Sequence, residues 1–178
     1  MNSLIDTHAH IYLPEFDEDR LAIIERASAA GVEAIYLPAI DSSTHAAMLQ
    51  TELQYPICKS MMGMHPCSVK EDFEKELEII GGYLKERTFL AIGEIGLDFY
   101  WDKTYAEQQY AAFHRQILLA QAYGLPIVIH SRNATDECIG VVQQYPGLQG
   151  VFHCFSGNEE QACRVMEAGF YLGIGGVV

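Results

Sequence analysis

The strongest constraint on the fold is a regular alternation of short apolar runs with segments of helical period. Seven runs are rich in β-branched and other apolar residues: 4–8, 33–39, 57–65, 89–96, 125–130, 150–155 and 170–178. Their apolar content is nearly continuous, which is typical of parallel strands that are covered on both faces. This alternation predicts an α/β fold that is built from βαβ units.

Three of the intervening segments carry clear helical signals. Residues 71–87 place four apolar side chains on one stripe, Phe73, Leu77, Ile80 and Leu84. Residues 108–124 place Tyr110, Phe113, Ile117 and Ala120 on another, and Gly124 is a suitable C-cap. Residues 158–169 open with an asparagine cap and end at a glycine.

Two architectures fit this pattern, an open doubly wound sheet and a TIM-type (β/α)8 barrel. A complete barrel typically needs about 250 residues and eight strands. The chain has 178 residues and stops directly after the seventh run. We therefore expect one domain over residues 1–178, a barrel truncated after about seven βα units, with the eighth strand and its helix missing.

Candidate ligands collect at one end of the predicted strands. Five of the seven histidines lie at the C-terminal end of a run, and Glu94 lies near the end of the fourth; the histidines are His8, His10, His65, His130 and His153. Active sites of barrels and of open parallel sheets form at this edge.

Each histidine also has a simpler interpretation. A single histidine at a strand end is ordinarily a hydrogen-bonded structural residue, and the pair His8 and His10 could simply face water. Six such groups at one edge favour a divalent cation, because leaving them unpaired there would cost desolvation that a shared cation offsets.

Charge narrows the function. The formal net charge of −13 argues against a broad electrostatic surface for nucleic acid. A phosphate-containing substrate would need positive charge supplied locally, and bound cations are one source. Of the basic side chains, only Lys70, Lys103 and Arg132 fall near loops at the active edge. The aromatic run 99–101 follows the fourth strand, where it could stack on a base or simply pack the loop.

The sequence also predicts the compartment. Five cysteines without a Cys-x-x-Cys pair indicate reduced thiols, as in a cytoplasm. The N-terminal residues lack the pattern of a signal peptide, and no apolar stretch approaches the roughly 18 residues of a membrane span. We expect a cytoplasmic protein without a membrane partner.

Six motifs together carry a family resemblance. They are "DTHAH" (6–10), "GMHP" (63–66), "GEIGLD" (93–98), Gln109-x3-Phe113-x2-Gln116, "IHSR" (129–132) and "HCFSG" (153–157). In this order and spacing, the sequence resembles the TatD-type metal-dependent deoxyribonucleases of the amidohydrolase-like superfamily of (β/α)8 barrels.

The resemblance implies a site with two divalent ions, Mg, Mn or Zn. His8 and His10 would hold one ion, Glu94 would bridge the two as the catalytic carboxylate, and His130 and His153 would hold the second. The family pattern continues into an eighth strand with a "TDAP"-like motif whose aspartate is a further ligand. The present sequence ends before that motif, so one carboxylate of the first site is missing from it.

These features predict a metal-dependent hydrolase that cleaves DNA phosphodiester bonds through a metal-activated water. His65 and Arg132 are the candidates for binding phosphate oxygens, and Asp98 for orienting a metal ligand. We expect a monomer if the barrel is complete.

Two other functions remain open. One is a deacylase or amidase that acts on a small ester, amide or aminoacyl ester. The other is an inert fragment or a partner-dependent subunit, because a barrel without its eighth strand has an exposed sheet edge.

Overall fold

The computed structural model describes residues 3–176 and contains seven strands that alternate with six α-helices. The strands are β1 (Leu4–Asp6), β2 (Val32–Pro38), β3 (Cys58–Met61), β4 (Ile92–Asp98), β5 (Ile127–Arg132), β6 (Gly150–Phe152) and β7 (Tyr171–Leu172). The helices are α1 (Arg20–Ala29), α2 (Ser42–Gln54), α3 (Phe73–Glu86), α4 (Ala106–Tyr123), α5 (Thr135–Val142) and α6 (Glu159–Glu167).

The order of the strands decides between the two predicted architectures. One sheet has the order β1-β2-β3 and the other β4-β5-β6-β7, and every pair is parallel. An isolated parallel bridge between Met62 and Ile92 joins β3 to β4. Strands that neighbour each other in chain order are typical of a barrel, whereas a doubly wound sheet reverses its order part-way. The barrel prediction is confirmed, and the open-sheet alternative is wrong.

The curved sheet does not close on itself within residues 3–176. In that range β1 pairs with β2 alone and β7 with β6 alone. Both edges expose apolar side chains, among them Leu4, Ile5 and Tyr171. The predicted seventh run is longer than β7, and its last two residues, 177–178, lie outside the described part of the chain.

Apolar side chains pack on both faces of the sheet. The larger core lies between the strands and the helices and includes the predicted stripe of α3, whose four members are all buried. A smaller cluster on the concave face contains Met61, Ala91 and Val128. Because side chains alternate along a strand, Val128 and His130 of β5 share that concave face. The apolar residue is part of the packing, and the histidine lies at the C-terminal rim.

The predicted helix ends are confirmed for two helices. Gly124 closes α4 with φ of 64°, a left-handed conformation that glycine adopts without strain. Asn158 caps α6 and forms a reciprocal capping box with Gln161. Of the helices described between residues 3 and 176, none is long and apolar enough to cross a bilayer.

The strand boundaries differ from the sequence prediction by one or more residues, and two of the differences change where a candidate residue lies relative to its strand. β3 ends at Met61, so His65 lies past the strand, where it caps a 3-10 turn at Pro66–Ser68. β4 begins at Ile92, so Glu94 lies inside that strand and not near its end.

Candidate metal centre

Seven of the eight predicted site residues line a single cavity of about 510 Å³ at the C-terminal rim of the strands. They are His8, His10, His65, Glu94, His130, Arg132 and His153. The eighth, Asp98, lies behind them and contacts His130. Residues from five different strand–helix units therefore meet at one place, as the strand-end argument predicts.

Glu94 lies at the centre of this group. The carboxylate is almost fully buried, and its two oxygens face different histidines. Oε2 lies 3.2 Å from His8 Nε2 and 3.8 Å from His10 Nε2. Oε1 lies 3.2 Å from His130 Nδ1. Burial raises the pKa of Glu94, but the contacts with these three imidazoles outweigh burial and hold the pKa well below its usual range. The carboxylate is therefore ionised.

A hydrogen-bond chain fixes the tautomer of His10. The hydroxyl of buried Tyr12 donates its one hydrogen to the carbonyl oxygen of Pro38 at 2.6 Å. His10 Nδ1 lies 2.9 Å from the same hydroxyl oxygen, so Nδ1–H must be the donor there. The lone pair of neutral His10 is then on Nε2, which points at His8 Nε2 over 3.2 Å. The sequence analysis missed Tyr12, although its spacing of two from His10 repeats that between the two histidines.

Asp98 performs the same task for His130. His130 Nε2 donates to Asp98 Oδ2 at 2.8 Å, which leaves the lone pair of the neutral ring on Nδ1, toward Glu94. Burial lowers the pKa of His130, but the contacts with Glu94 and Asp98 outweigh burial and the net shift is upward. A carboxylate that holds the far nitrogen of a histidine is the usual support of a metal ligand.

His65 has the opposite orientation of its donor and acceptor nitrogens, because its hydrogen faces the cavity. The backbone amide of Cys67 donates to His65 Nδ1 at 3.1 Å, so the neutral ring carries its hydrogen on Nε2. That nitrogen lies 3.2 Å from His130 Nδ1, which can accept this hydrogen as long as its lone pair holds no cation. Burial lowers the pKa of His65 to about 4, so the ring is neutral at neutral pH. His65 thus presents a hydrogen-bond donor to the cavity.

His153 packs flat against His8, with ring centroids 3.4 Å apart and an angle of 12° between the planes. Burial lowers the pKa of His153 to about 4, which leaves this ring neutral too. Its nitrogens do not join the two groups of converging donors in residues 3–176, which are His8 with His10 and Glu94, and His65 with Glu94 and His130.

The donor set fits divalent cations. Two nitrogens bound at about 2.1 Å to one tetrahedral ion lie about 3.4 Å apart, close to the 3.2 Å between His8 and His10. Imidazole and carboxylate are ligands of Zn, Mn and Fe. Nε2 of His8 faces Glu94 and is the nitrogen of this ring that could coordinate an ion. Nδ1 of His8 is buried and has no hydrogen-bond partner within residues 3–176.

Two buried glutamines hold the loops that carry these residues. Gln116 Oε1 accepts the amide hydrogen of Met64 at 2.7 Å, and its Nε2 donates to the Met64 carbonyl at 3.2 Å. Gln109 forms the same pair of bonds with the backbone of Asp98, at 2.9 and 3.2 Å. Both glutamines lie on α4, so this helix fixes the positions of His65 and Asp98 relative to each other.

Comparisons with known proteins identify the family. The model of the TatD-related DNases matches residues 5–178. The chain belongs to this family. It is a metal-dependent hydrolase of the TatD type.

Individual relatives give the extent of the match. The uncharacterized metal-dependent hydrolase YabD of Bacillus subtilis is 36% identical over 98% of this chain and 69% of its own length. A protein of Cronobacter turicensis that is named a 3'-5' ssDNA/RNA exonuclease TatD is 31% identical, over 98% of this chain and 67% of its own. The crystal structure of the TatD homologue YjjV from Escherichia coli aligns with a TM-score of 0.90 at 34% identity. That alignment covers 97% of this chain and 68% of the other. The chain thus spans about two thirds of these relatives.

Proposed function

We propose that the protein is a nuclease that hydrolyses phosphodiester bonds of DNA with two divalent ions held at Glu94. The observation that carries this proposal is the division of the Glu94 carboxylate. Oε2 lies nearest His8 and His10, with His65 Nε2 at 3.9 Å, and Oε1 faces His130. A carboxylate with separate neighbours on each oxygen is suited to bridge two ions. His8 and His10 would hold the first ion, and His130 and His153 the second.

His153 needs one change to take part. Its ring stacks on His8, so it reaches the second ion only if it turns away from that ring toward His130. His153 lines the same cavity as the other ligands. Its neutral state at neutral pH leaves a nitrogen lone pair for coordination.

When bound, such ions polarise phosphoryl oxygens and lower the pKa of a coordinated water. Side chains of this protein would orient the metal ligands and bind the phosphate. Tyr12 and Asp98 hold His10 and His130 in the tautomers that direct their lone pairs inward. His65 donates its Nε2–H to a phosphate oxygen, and Arg132 offers its forked donors to another.

Arg132 favours a phosphodiester over a neutral substrate. It lines the cavity with the histidines. Within residues 3–176 its guanidinium contacts two aromatic rings and makes no hydrogen bond or ion pair with a protein group, so its donors are available to a ligand. Relatives that are named 3'-5' ssDNA/RNA exonucleases, such as the Cronobacter turicensis protein, support the same substrate class.

The test combines metal analysis with a hydrolysis assay. We expect wild-type protein to bind two ions per chain and to cleave single-stranded DNA. Glu94→Gln should lose both ions and more activity than the roughly 10- to 100-fold that follows loss of an outer-shell partner. Glu160→Gln, on an exposed position of α6, is the matched control. Two bound ions and full activity in Glu94→Gln would contradict the proposal.

The same preparation should be assayed against a small ester and an aminoacyl ester. Faster turnover of these substrates than of DNA would replace the nuclease with the deacylase alternative. The metal site and the family would stand in either case.

A further inference from the structure

Two aromatic side chains stand exposed beside the metal centre. Tyr100 and Trp101 follow β4, and they are 50% and 70% exposed. Their rings lie 4.7 Å apart at an angle of 87°, so they form a corner with two different faces. Large exposed aromatic surface costs free energy in water, and at a cavity rim it commonly marks a ligand contact.

Arg132 occupies the inside of this corner. Its guanidinium carbon lies 3.9 Å from the centroid of Tyr100 and 5.2 Å from that of Trp101. Stacking on a ring restrains the plane of the guanidinium but uses none of its hydrogen-bond donors. The corner therefore combines an exposed indole with a positioned cation whose donors bind no other group within residues 3–176.

The corner lies between two cavities. Arg132 lines the large cavity that contains the histidines and Glu94. Trp101 lines an adjoining cavity of about 170 Å³ together with Lys70 and Asp98. Since Asp98 also holds His130, the indole is one side chain removed from a residue of the metal centre.

We propose that Trp101, supported by Tyr100, stacks on the nucleobase next to the scissile phosphodiester while Arg132 holds a phosphate of the same strand. This inference rests on the proposed nuclease function and extends it to the recognition of bases. A base needs a flat apolar face and the adjacent phosphate needs a cation, and this corner offers both. Stacking accepts every base, so the contact provides affinity without sequence preference. It requires a base outside a duplex, so single strands are preferred.

Trp101 is the only tryptophan of the chain, which provides a direct optical readout. Tetrathymidylate with phosphorothioate linkages should quench the intrinsic fluorescence of the metal-loaded protein in a saturable way. An abasic strand of the same length and charge should quench little. Equal quenching by both strands would overturn the proposal.

Binding is then compared between variants by the anisotropy of labelled strands. In wild type, the strand with bases should bind roughly tenfold or more tightly than the abasic strand. This ratio should fall to about one in Trp101→Ala and be largely kept in Trp101→Phe. Tyr123→Ala, which removes another exposed aromatic at the end of α4, is the control and should keep the wild-type ratio. A Trp101→Ala protein with the wild-type ratio would refute base stacking and leave the aromatic pair to another role, such as a protein contact.

Hydrolysis of the ordinary phosphodiester strand separates this inference from the proposal on which it rests. Cleavage without any preference for bases would remove the stacking site and keep the nuclease. Base-dependent binding without cleavage under any metal would remove the nuclease and keep the stacking site.

Discussion

Replacing Gln116 with methionine should destabilise the protein strongly, although the two side chains have nearly the same shape. Gln116 is 1% exposed, and it pairs with both the amide and the carbonyl of Met64, which is fully buried. Gln116→Met removes both partners at once and leaves two backbone groups without access to water. Each buried unsatisfied group costs about 1–3 kcal/mol, so the free energy of unfolding should fall by at least about 2 kcal/mol.

Urea unfolding measures this loss. With a slope of about 2 kcal/mol per molar urea, the midpoint should fall by about 1 M or more. Gln121→Met is the matched control, since Gln121 lies exposed on the same helix, and it should leave the midpoint unchanged. Gln109→Met, which leaves the amide and carbonyl of Asp98 without their hydrogen-bond partner, should lower the midpoint as Gln116→Met does. Midpoints of Gln116→Met and Gln121→Met that agree within about 0.2 M would refute the reasoning.

Three further outcomes follow from particular contacts. Asp98→Asn keeps a hydrogen-bond acceptor but removes the charge behind His130, so metal affinity in a competition titration should fall about 10- to 100-fold; an unchanged affinity would count against that support. Gly96→Ala should prevent folding or lower the urea midpoint severely, because φ is 138° and the new Cβ would lie 2.1 Å from the carbonyl oxygen of His130. Gly82→Ala is the control: this helical position has open space around it, so the substitution should stabilise the protein by about 0.5–1 kcal/mol. The pKa of His65 is lowered from 6.5 to about 4, so the unfolded chain binds the proton more readily than the folded protein. In chelator-treated protein, the resulting contribution to stability is complete above pH 6.5 and is lost as the pH falls toward 4. The urea midpoint should therefore decline less over that pH range in His65→Gln than in wild type.

The sequence by itself determined the class of fold and the place of the chemistry. Short apolar runs that alternate with segments of helical period indicate strands that are covered on both faces, and this pattern can be read from the chain. Parallel strands place their C-terminal ends at one rim, so histidines that follow separate runs must meet there whatever the exact geometry. The stripe of α3 and the caps at Gly124 and Asn158 were predictable for the same reason, since each depends on residues within a few positions.

Tertiary structure decided the order of the strands and the role of each donor. Strand order depends on contacts between distant segments, and no local pattern distinguishes a barrel from an open sheet of the same units. The sequence likewise could not predict which nitrogen of each imidazole carries the hydrogen, because this depends on the group that contacts the other nitrogen of the ring. A tyrosine bound to the carbonyl of Pro38 leaves the lone pair of His10 facing inward, whereas the amide of Cys67 leaves His65 with a hydrogen there. A proton on one ring nitrogen or the other separates a metal ligand from a hydrogen-bond donor, and only the folded neighbours fix its position.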